Sequence, residues 1–311
     1  MQTLAVVLSA PEKLELQHLE LCALGDGDVL IEVEFSGIST GTERLLWTGR
    51  MPPFPGMGYP LVPGYESVGR IIDAGRNARI RMGERVFVPG ASCFKDARGL
   101  FGGSARRVIV PASRAVPVSE SLIEKGVLIA LAATAHHAIA GGKTPDLIVG
   151  HGVLGRLIAR LAIAAGGNSP TVWETNRARH GGSMGYTVIH PDDDDRKNYT
   201  SIYDVSGDSA ILDTLIGRAA KGGEIVLAGF YETALSFAFP AAFMREARIR
   251  VAAEWSPEDL VATTALVHSG ALSLEGLITH CHRVGEAAVA YPIAFADPGC
   301  LKMILDWRDC A

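Results

Sequence analysis

The chain has 311 residues, more than one ordinary hydrophobic core accommodates, so its length predicts two domains. A formal net charge of −5 and a pI near 6.0 offer no basic field to a phosphate backbone, which argues against nucleic acid as a partner and for a small molecule. The five cysteines, Cys22, Cys93, Cys281, Cys300 and Cys310, form no C-x-x-C pair; they fit a reducing compartment, and a cytoplasmic location is expected.

The first residues, "MQTLAVVLSAPEKLELQ", lack the basic start, apolar stretch and cleavage site of a signal peptide. From there to about residue 117, the β-rich runs "TLAVVLS", "DVLIEVEFSGI", "GYESVGRIIDAG", "GERVFVPG" and "ARRVIVPASRAVPV", separated by Gly and Pro, predict a small irregular barrel. From about 118 the pattern turns helical with "ESLIEKGVLIALAATAHHAIAGG". Its most apolar window, 126 to 142, falls short of the ~18 to 20 continuous apolar residues of a membrane span and is broken by His136 and His137. No transmembrane segment is expected, although a mean hydropathy of +0.21 leaves membrane-surface association open.

Strands then alternate with helices, which predicts right-handed βαβ units in a parallel sheet. The strands read at 146–152, 169–175, 186–191, 201–207, 222–231 and 247–255, and six such strands make an α/β, doubly wound dinucleotide fold. The acidic run at 192–195 reads as a solvated turn. After it, "SPEDLVATTALVHSGAL" predicts a helix capped by Ser256 with Pro257 in its first turn, and "PGCLKMILDW" predicts a closing amphipathic helix.

"GHGVLG", Gly150, His151, Gly152, Val153, Leu154 and Gly155, follows an apolar strand and opens a helix, the context that makes G-x-G-x-x-G informative. Gly150 permits the turn, Gly152 lets a pyrophosphate approach the backbone, and Gly155 lets helix and strand pack closely. The helix N-terminus offers free N–H groups to the phosphates, with His151 at the rim. Glu174 ends the second strand about 20 residues further on, where a carboxylate accepts the ribose hydroxyls of NAD. Arg177 and Arg179 leave NADP open, since a guanidinium there pairs with the extra phosphate; Glu174, at the strand end itself, favours NAD.

The β-rich front, "PGYESVG", "MGERVFV", the glycine turn, "AAKGGEIVLAG" and "ITHCHRVGEAAVAYPIAFADPGCLKMIL" resemble the medium-chain dehydrogenase/reductase superfamily over nearly the whole chain. The resemblance implies a GroES-like, β-rich catalytic domain from 1–117 and 257–311, a Rossmann domain at 118–256, and pairing of two copies as a homodimer. "FSGISTGTERLLWTGRMPPFPGMGYPLVPGYESVGRI" and "WETNRARH" further resemble the hydroxyethyl bacteriochlorophyllide dehydrogenases of bacteriochlorophyll biosynthesis. That likeness implies NAD-dependent oxidation of a pigment's hydroxyethyl group to acetyl. A zinc-free NADPH-dependent quinone or enoyl reductase and a non-catalytic pigment carrier are the competing readings.

Zinc-dependent members of the superfamily bind their catalytic metal through Cys, His and Cys. The resemblance aligns those sites with Ser39 or Thr40, with Tyr65 and with Ala130, a set unsuited to zinc, so no metal is expected. Tyr65 then stands either as general base, which needs its pKa lowered, or as filler of the vacated cavity. Ser39 and Thr40 hold the substrate oxygen or make turn hydrogen bonds. Thr42 occupies the relay position of relatives, although the His that completes that relay is Leu45 here. His136 and His137 are further catalytic candidates or packed side chains. The loop 44–60 offers Trp47, Phe54 and Tyr59 as an apolar wall for a macrocycle, with Arg44 and Arg50 for a propionate, or it packs as a surface loop on the barrel.

Overall fold

The computed structural model describes residues 1–53 and 55–310. It divides into two compact units, one from Met1–Ala130 with Leu277–Ala311 and one from Leu131–Gly276. Both borders lie later than the pattern change in the sequence. The stretch Glu120–Leu128 is a 3-10 segment that packs on the barrel strands, with Val68 filling the space beside Gly126. Helix Pro257–His268 belongs to the other unit, where its first-turn residue Asp259 receives His136 and His137.

The terminal unit is β-rich. One sheet runs His280–Arg283, Met303–Asp306, Asp28–Ile38, Ser67–Ala74, Arg85–Val88 and Val116–Pro117, with Arg107–Pro111 also paired to Asp28–Ile38. A smaller sheet joins Lys13–Glu20, Gln2–Ala10, Leu61–Val62 and Arg98–Gly99. Their inward faces, rich in Val and Ile, close a core that includes Val6, Ile31, Val33, Val86, Val108, Tyr291 and Trp307. "CLKMILDW" is here a strand and not the expected helix: Met303–Asp306 pairs antiparallel with Asp28–Ile38 through Met303 opposite Ile38. A short run buried on both faces carries no period that separates strand from helix.

The central unit is a six-stranded parallel sheet. In chain order its strands are Leu147–Val149, Thr171–Trp173, Thr187–Ile189, Tyr199–Asp204, Ala219–Leu227 and Arg248–Val251, and their spatial order is 3-2-1-4-5-6, that of a doubly wound dinucleotide fold. Helix Pro257–His268 begins as expected at Ser256, which forms a capping box with Asp259. The acidic run is not fully solvated. Asp194 is buried and accepts hydrogen bonds from Trp173 Nε1 (2.6 Å) and the Tyr199 hydroxyl (2.6 Å), so it anchors the sheet while its neighbours face water.

The helical run Glu120–Ile139 has the length and apolarity of a membrane span, which the window 126–142 alone did not reach. Ile123 breaks it with a positive φ of 44°, and Val127 to Ala130, Ala132, Ala133 and Ala135 are fully enclosed by protein, as in a core helix.

Candidate functional site

In the central unit the strand Leu147–Val149 ends at Gly150, whose φ of +106° turns the chain into helix Val153–Ala164. No side chain caps that helix at Gly152, and among the described residues none besides its chain neighbours lies within 4 Å of where a Gly152 side chain would project. An uncapped N-terminus with open space before it is a ready anion site, fitted to a pyrophosphate. Val153 and Leu154 supply the first-turn N–H groups. Glu174 closes the second strand with its carboxylate oriented by backbone: His151 N–H donates to Oε2 (3.2 Å) and Asn176 N–H to Oε1 (2.8 Å).

His151 is not at the rim. Its ring is completely buried, Nδ1 bonds the Arg179 carbonyl (2.7 Å), and Nε2 bonds the Tyr186 hydroxyl (2.9 Å). Burial depresses its pKa to about 4, helped by the nearby Arg156 charge and opposed by the Arg179 hydrogen bond. The ring therefore stays neutral near neutral pH. Arg179, a candidate cofactor ligand, has its backbone carbonyl held by His151 and by Arg156.

His136 and His137 share one partner. Both direct Nδ1 at Asp259, each at 2.7 Å. Burial works to raise the Asp259 pKa, but hydrogen bonds from Ser256, His136 and His137 outweigh it and hold the carboxyl well below its usual range. The pair ties two helices of one unit together.

In the terminal unit, the Tyr65 hydroxyl donates to Ser39 Oγ (2.8 Å), and Thr42 lies close enough to favour the charged form of that hydroxyl. Tyr65 also packs edge-on against Phe101, with ring centroids 5.4 Å apart. Burial and the charge of Glu66 push the Tyr65 pKa up, not down. These surroundings keep it a phenol at neutral pH. Ala130, where relatives place a thiolate, is fully buried and offers no donor atom. Two neutral hydroxyls and an alanine do not fit zinc. Among the described residues, no group of three or more His, Cys, Asp or Glu side chains is placed to hold a metal.

Beneath these hydroxyls lie two buried carboxyls. Glu43 accepts from Ser39 N–H (3.1 Å) and from the Tyr291 hydroxyl (2.8 Å), and burial raises its pKa to about 7 in spite of both bonds. Because the folded state holds this proton between about 4.5 and 7 and the unfolded chain does not, stability falls as pH rises through that window, by on the order of 3 kcal/mol. Glu43→Gln is expected to flatten this slope, since its amide still accepts from Ser39 and donates to Tyr291. Urea midpoints at pH 5 and pH 8 check it, and an unchanged wild-type slope in the variant would refute the assignment.

Glu66, equally buried, pairs with Lys302 Nζ at 2.6 and 2.9 Å, and Nζ also donates to the Ile38 carbonyl (3.3 Å). Gly37 makes room, because a side chain there would meet Glu66 Oε2 at 2.2 Å.

The described part of the loop 44–60 touches the barrel. Met51, Met57 and Tyr59 cover Leu8, Leu46, Leu61 and Leu100, the Tyr59 hydroxyl donates to the Leu46 carbonyl, and Trp47 lies 6.2 Å from the Tyr291 ring. Trp47 and Tyr59 are half-buried against the barrel. Arg44 is exposed, about 200° around its helix from Thr42 and so directed away from the hydroxyl cluster. Arg50 Nε donates to Thr48 Oγ1 (3.1 Å), and Phe54 lies outside the described residues.

Sequence reasoning missed Lys302, Asp259, Tyr291, Arg156 and Tyr186. Only Lys302 carried a signal, as a lone cation in the apolar run "CLKMIL".

Comparison with known proteins agrees with both units. The alcohol dehydrogenase GroES-like domain matches residues 25–120. Solved structures share the fold: a short chain alcohol dehydrogenase of Escherichia coli CFT073 complexed with NADH has a TM-score of 0.84 at 21% identity, with 98% of this chain and 99% of that one covered. A putative zinc-binding dehydrogenase of Sinorhizobium meliloti 1021 bound to NADP has a TM-score of 0.82, also at 21% identity, with 98% and 99% covered. Two curated relatives named 2-desacetyl-2-hydroxyethyl bacteriochlorophyllide A dehydrogenase are far more similar. The one from Cereibacter sphaeroides is 58% identical over 100% of both chains, and the one from Rhodobacter capsulatus 55% identical over 99% of both. At that identity over its whole length, the chain belongs to the 2-desacetyl-2-hydroxyethyl bacteriochlorophyllide A dehydrogenase family, within the medium-chain dehydrogenase/reductase superfamily.

Proposed function

We propose that the chain oxidises the hydroxyethyl group of a bacteriochlorophyllide precursor to the acetyl group of bacteriochlorophyllide a, with NAD as hydride acceptor and without a catalytic metal. The observation that carries the cofactor choice is Glu174. Its carboxylate, oriented by two backbone N–H groups beside an uncapped helix N-terminus, suits the ribose hydroxyls of NAD and repels a 2′-phosphate. When bound, the cofactor takes up the hydride at its nicotinamide ring. Val153 and Leu154 hold the pyrophosphate through backbone N–H groups, and Gly152 leaves it room.

Ser39, Thr42 and Tyr65 receive the substrate oxygen. As the carbon gives up hydride, these hydroxyls donate hydrogen bonds to the charge building on oxygen, and the proton that the alcohol loses is relayed through them to solvent water, since each both donates and accepts. Tyr65, held as a phenol, acts as a donor. The carbon beside an aromatic macrocycle gives up hydride readily, which lowers the demand on the protein.

The test is chelator-treated protein with the hydroxyethyl pigment and either NAD or NADP. NADH and a red-shifted acetyl pigment are expected in equal amounts, and Tyr65→Phe should lower turnover by about a hundredfold. No NADH with intact pigment would leave the carrier reading. Turnover with NADP alone would overturn the cofactor choice, recovery only on adding zinc would overturn the metal-free reading, and unchanged turnover in Tyr65→Phe would remove that residue from the reaction.

A further inference from the structure

Arg156 lies one turn into the helix after the glycine-rich turn and is almost wholly buried, yet it pairs with no carboxylate among the described residues. Its guanidinium is spent on backbone carbonyls: Nε on His151 (3.1 Å), Nη1 on Gly182 (3.1 Å), Nη2 on Arg179 (3.1 Å) and Gly181 (2.9 Å). A buried guanidinium must have its donors satisfied, and carbonyl dipoles do that here in place of a counter-ion. These carbonyls join the glycine-rich turn to the segment 179–182, which follows the strand ending at Glu174.

His151 makes the same connection a second time. A carbonyl only accepts, so Nδ1 carries the proton toward Arg179, and Nε2 accepts from the Tyr186 hydroxyl. The charges of Arg156 and Arg160 lie close enough to oppose the upward push that burial gives the Tyr186 hydroxyl. The main-chain N–H of the same histidine donates to Glu174 Oε2, and His180 Nε2 bonds the Glu174 carbonyl (2.8 Å). One residue thus fixes the acid through its backbone and the facing loop through its ring. The groups that face this ring are the Arg156 guanidinium, the His180 imidazole and the Glu174 carboxylate.

We propose that His151, Arg156 and Tyr186 form a buried clamp that positions the adenosine-ribose subsite, holding Glu174 in the one orientation that accepts a 2′-hydroxyl and rejects a 2′-phosphate. The clamp rests on the reading of this unit as a nicotinamide dinucleotide site. Its members are positioning residues: the ring of His151 and the guanidinium of Arg156 point into protein and act through Glu174 and the 179–182 backbone. Discrimination is lost when the acid and the loop can move apart.

The experiment titrates NADH and NADPH into wild type, His151→Leu, Arg156→Lys and Tyr186→Phe by cofactor fluorescence, with melting temperatures of the cofactor-free proteins and no pigment present. In His151→Leu, which removes both ring hydrogen bonds and keeps the main-chain N–H, NADH affinity should fall about tenfold and the preference for NADH over NADPH should narrow. Arg156→Lys should behave alike, because one ammonium cannot span four carbonyls. Tyr186→Phe, which keeps the packing, should show a smaller loss, roughly threefold, and serves if the other variants do not fold. Lower melting temperatures with unchanged NADH affinity and an unchanged NADH-to-NADPH ratio would overturn the clamp. Wild type that binds neither nucleotide would overturn the dinucleotide reading instead, so the two failures are distinguishable.

Discussion

Lys302→Met is expected to destabilise the terminal unit by about 3–5 kcal/mol at neutral pH, because it leaves the Glu66 carboxylate buried without a counter-charge. Neither partner touches water, and Lys302 supplies both the charge and the hydrogen bonds that oppose the desolvation of Glu66. Met fills nearly the same volume, so the loss is electrostatic and not a cavity effect. Burial holds the Glu66 pKa above the usual carboxylate range, and removing Lys302 raises it further; the deficit should therefore shrink as pH falls and Glu66 takes up a proton. The double variant Glu66→Gln/Lys302→Met should recover much of the stability. Urea unfolding of the four proteins of that cycle at two pH values measures this. A single variant within about 1 kcal/mol of wild type, or a double variant as poor as the sum of its singles, would show that the pair is not the unit of stability. The consequence for function is local, since Glu66 follows Tyr65 and the Ile38 carbonyl, also bound by Lys302, precedes Ser39.

Gly155→Ala is expected to weaken NADH binding by about thirtyfold or more. An added methyl would sit 1.9 Å from the Gly150 carbonyl oxygen and 3.3 Å from Val205 Cγ2, so helix and strand must separate at the turn that presents the free N–H groups. Gly152→Ala is the informative contrast. Gly152 has an ordinary backbone φ of −74°, and its side-chain space is open, so that variant should keep the melting temperature of the cofactor-free protein and still bind NADH poorly. Fluorescence titration beside thermal melting separates the two. If Gly155→Ala binds within about threefold of wild type, the close packing is not what shapes the turn; if Gly152→Ala binds normally, the cofactor does not approach the backbone there.

These expectations depend on residues of unequal legibility in the sequence. Gly150, Gly152, Gly155 and Glu174 were readable because their chemistry is local: a turn, a helix start and a strand end occur within one βαβ unit. The six parallel strands were readable for the same reason. The partners of candidate residues were not. Asp259 lies 123 positions from His136, and Lys302 lies 236 from Glu66, and no periodicity reports a contact at that range. The hydrogen bond from Tyr65 to Ser39, 26 residues away, is equally invisible to the local pattern. Tyr65 stands out in the sequence, but the direction of its pKa depends on enclosure and on Glu66, which are tertiary facts. The strand Met303–Asp306 was read as a helix because burial on both faces erases the alternation that would have marked it.

The four aspartates after Pro191 differ only in where the fold puts them: Asp194 is enclosed by Trp173 and Tyr199, while Asp192, Asp193 and Asp195 face water. Removing any one of the four gives the same sequence, and a carboxylate still occupies the third place after Pro191. A run of identical residues thus leaves an anchoring carboxylate at the same distance from Pro191 after a one-residue deletion. The segment is therefore expected to withstand that loss better than a change of Asp194 in kind, although the Arg196 N–H bond to Asp194 would have to re-form across one residue fewer.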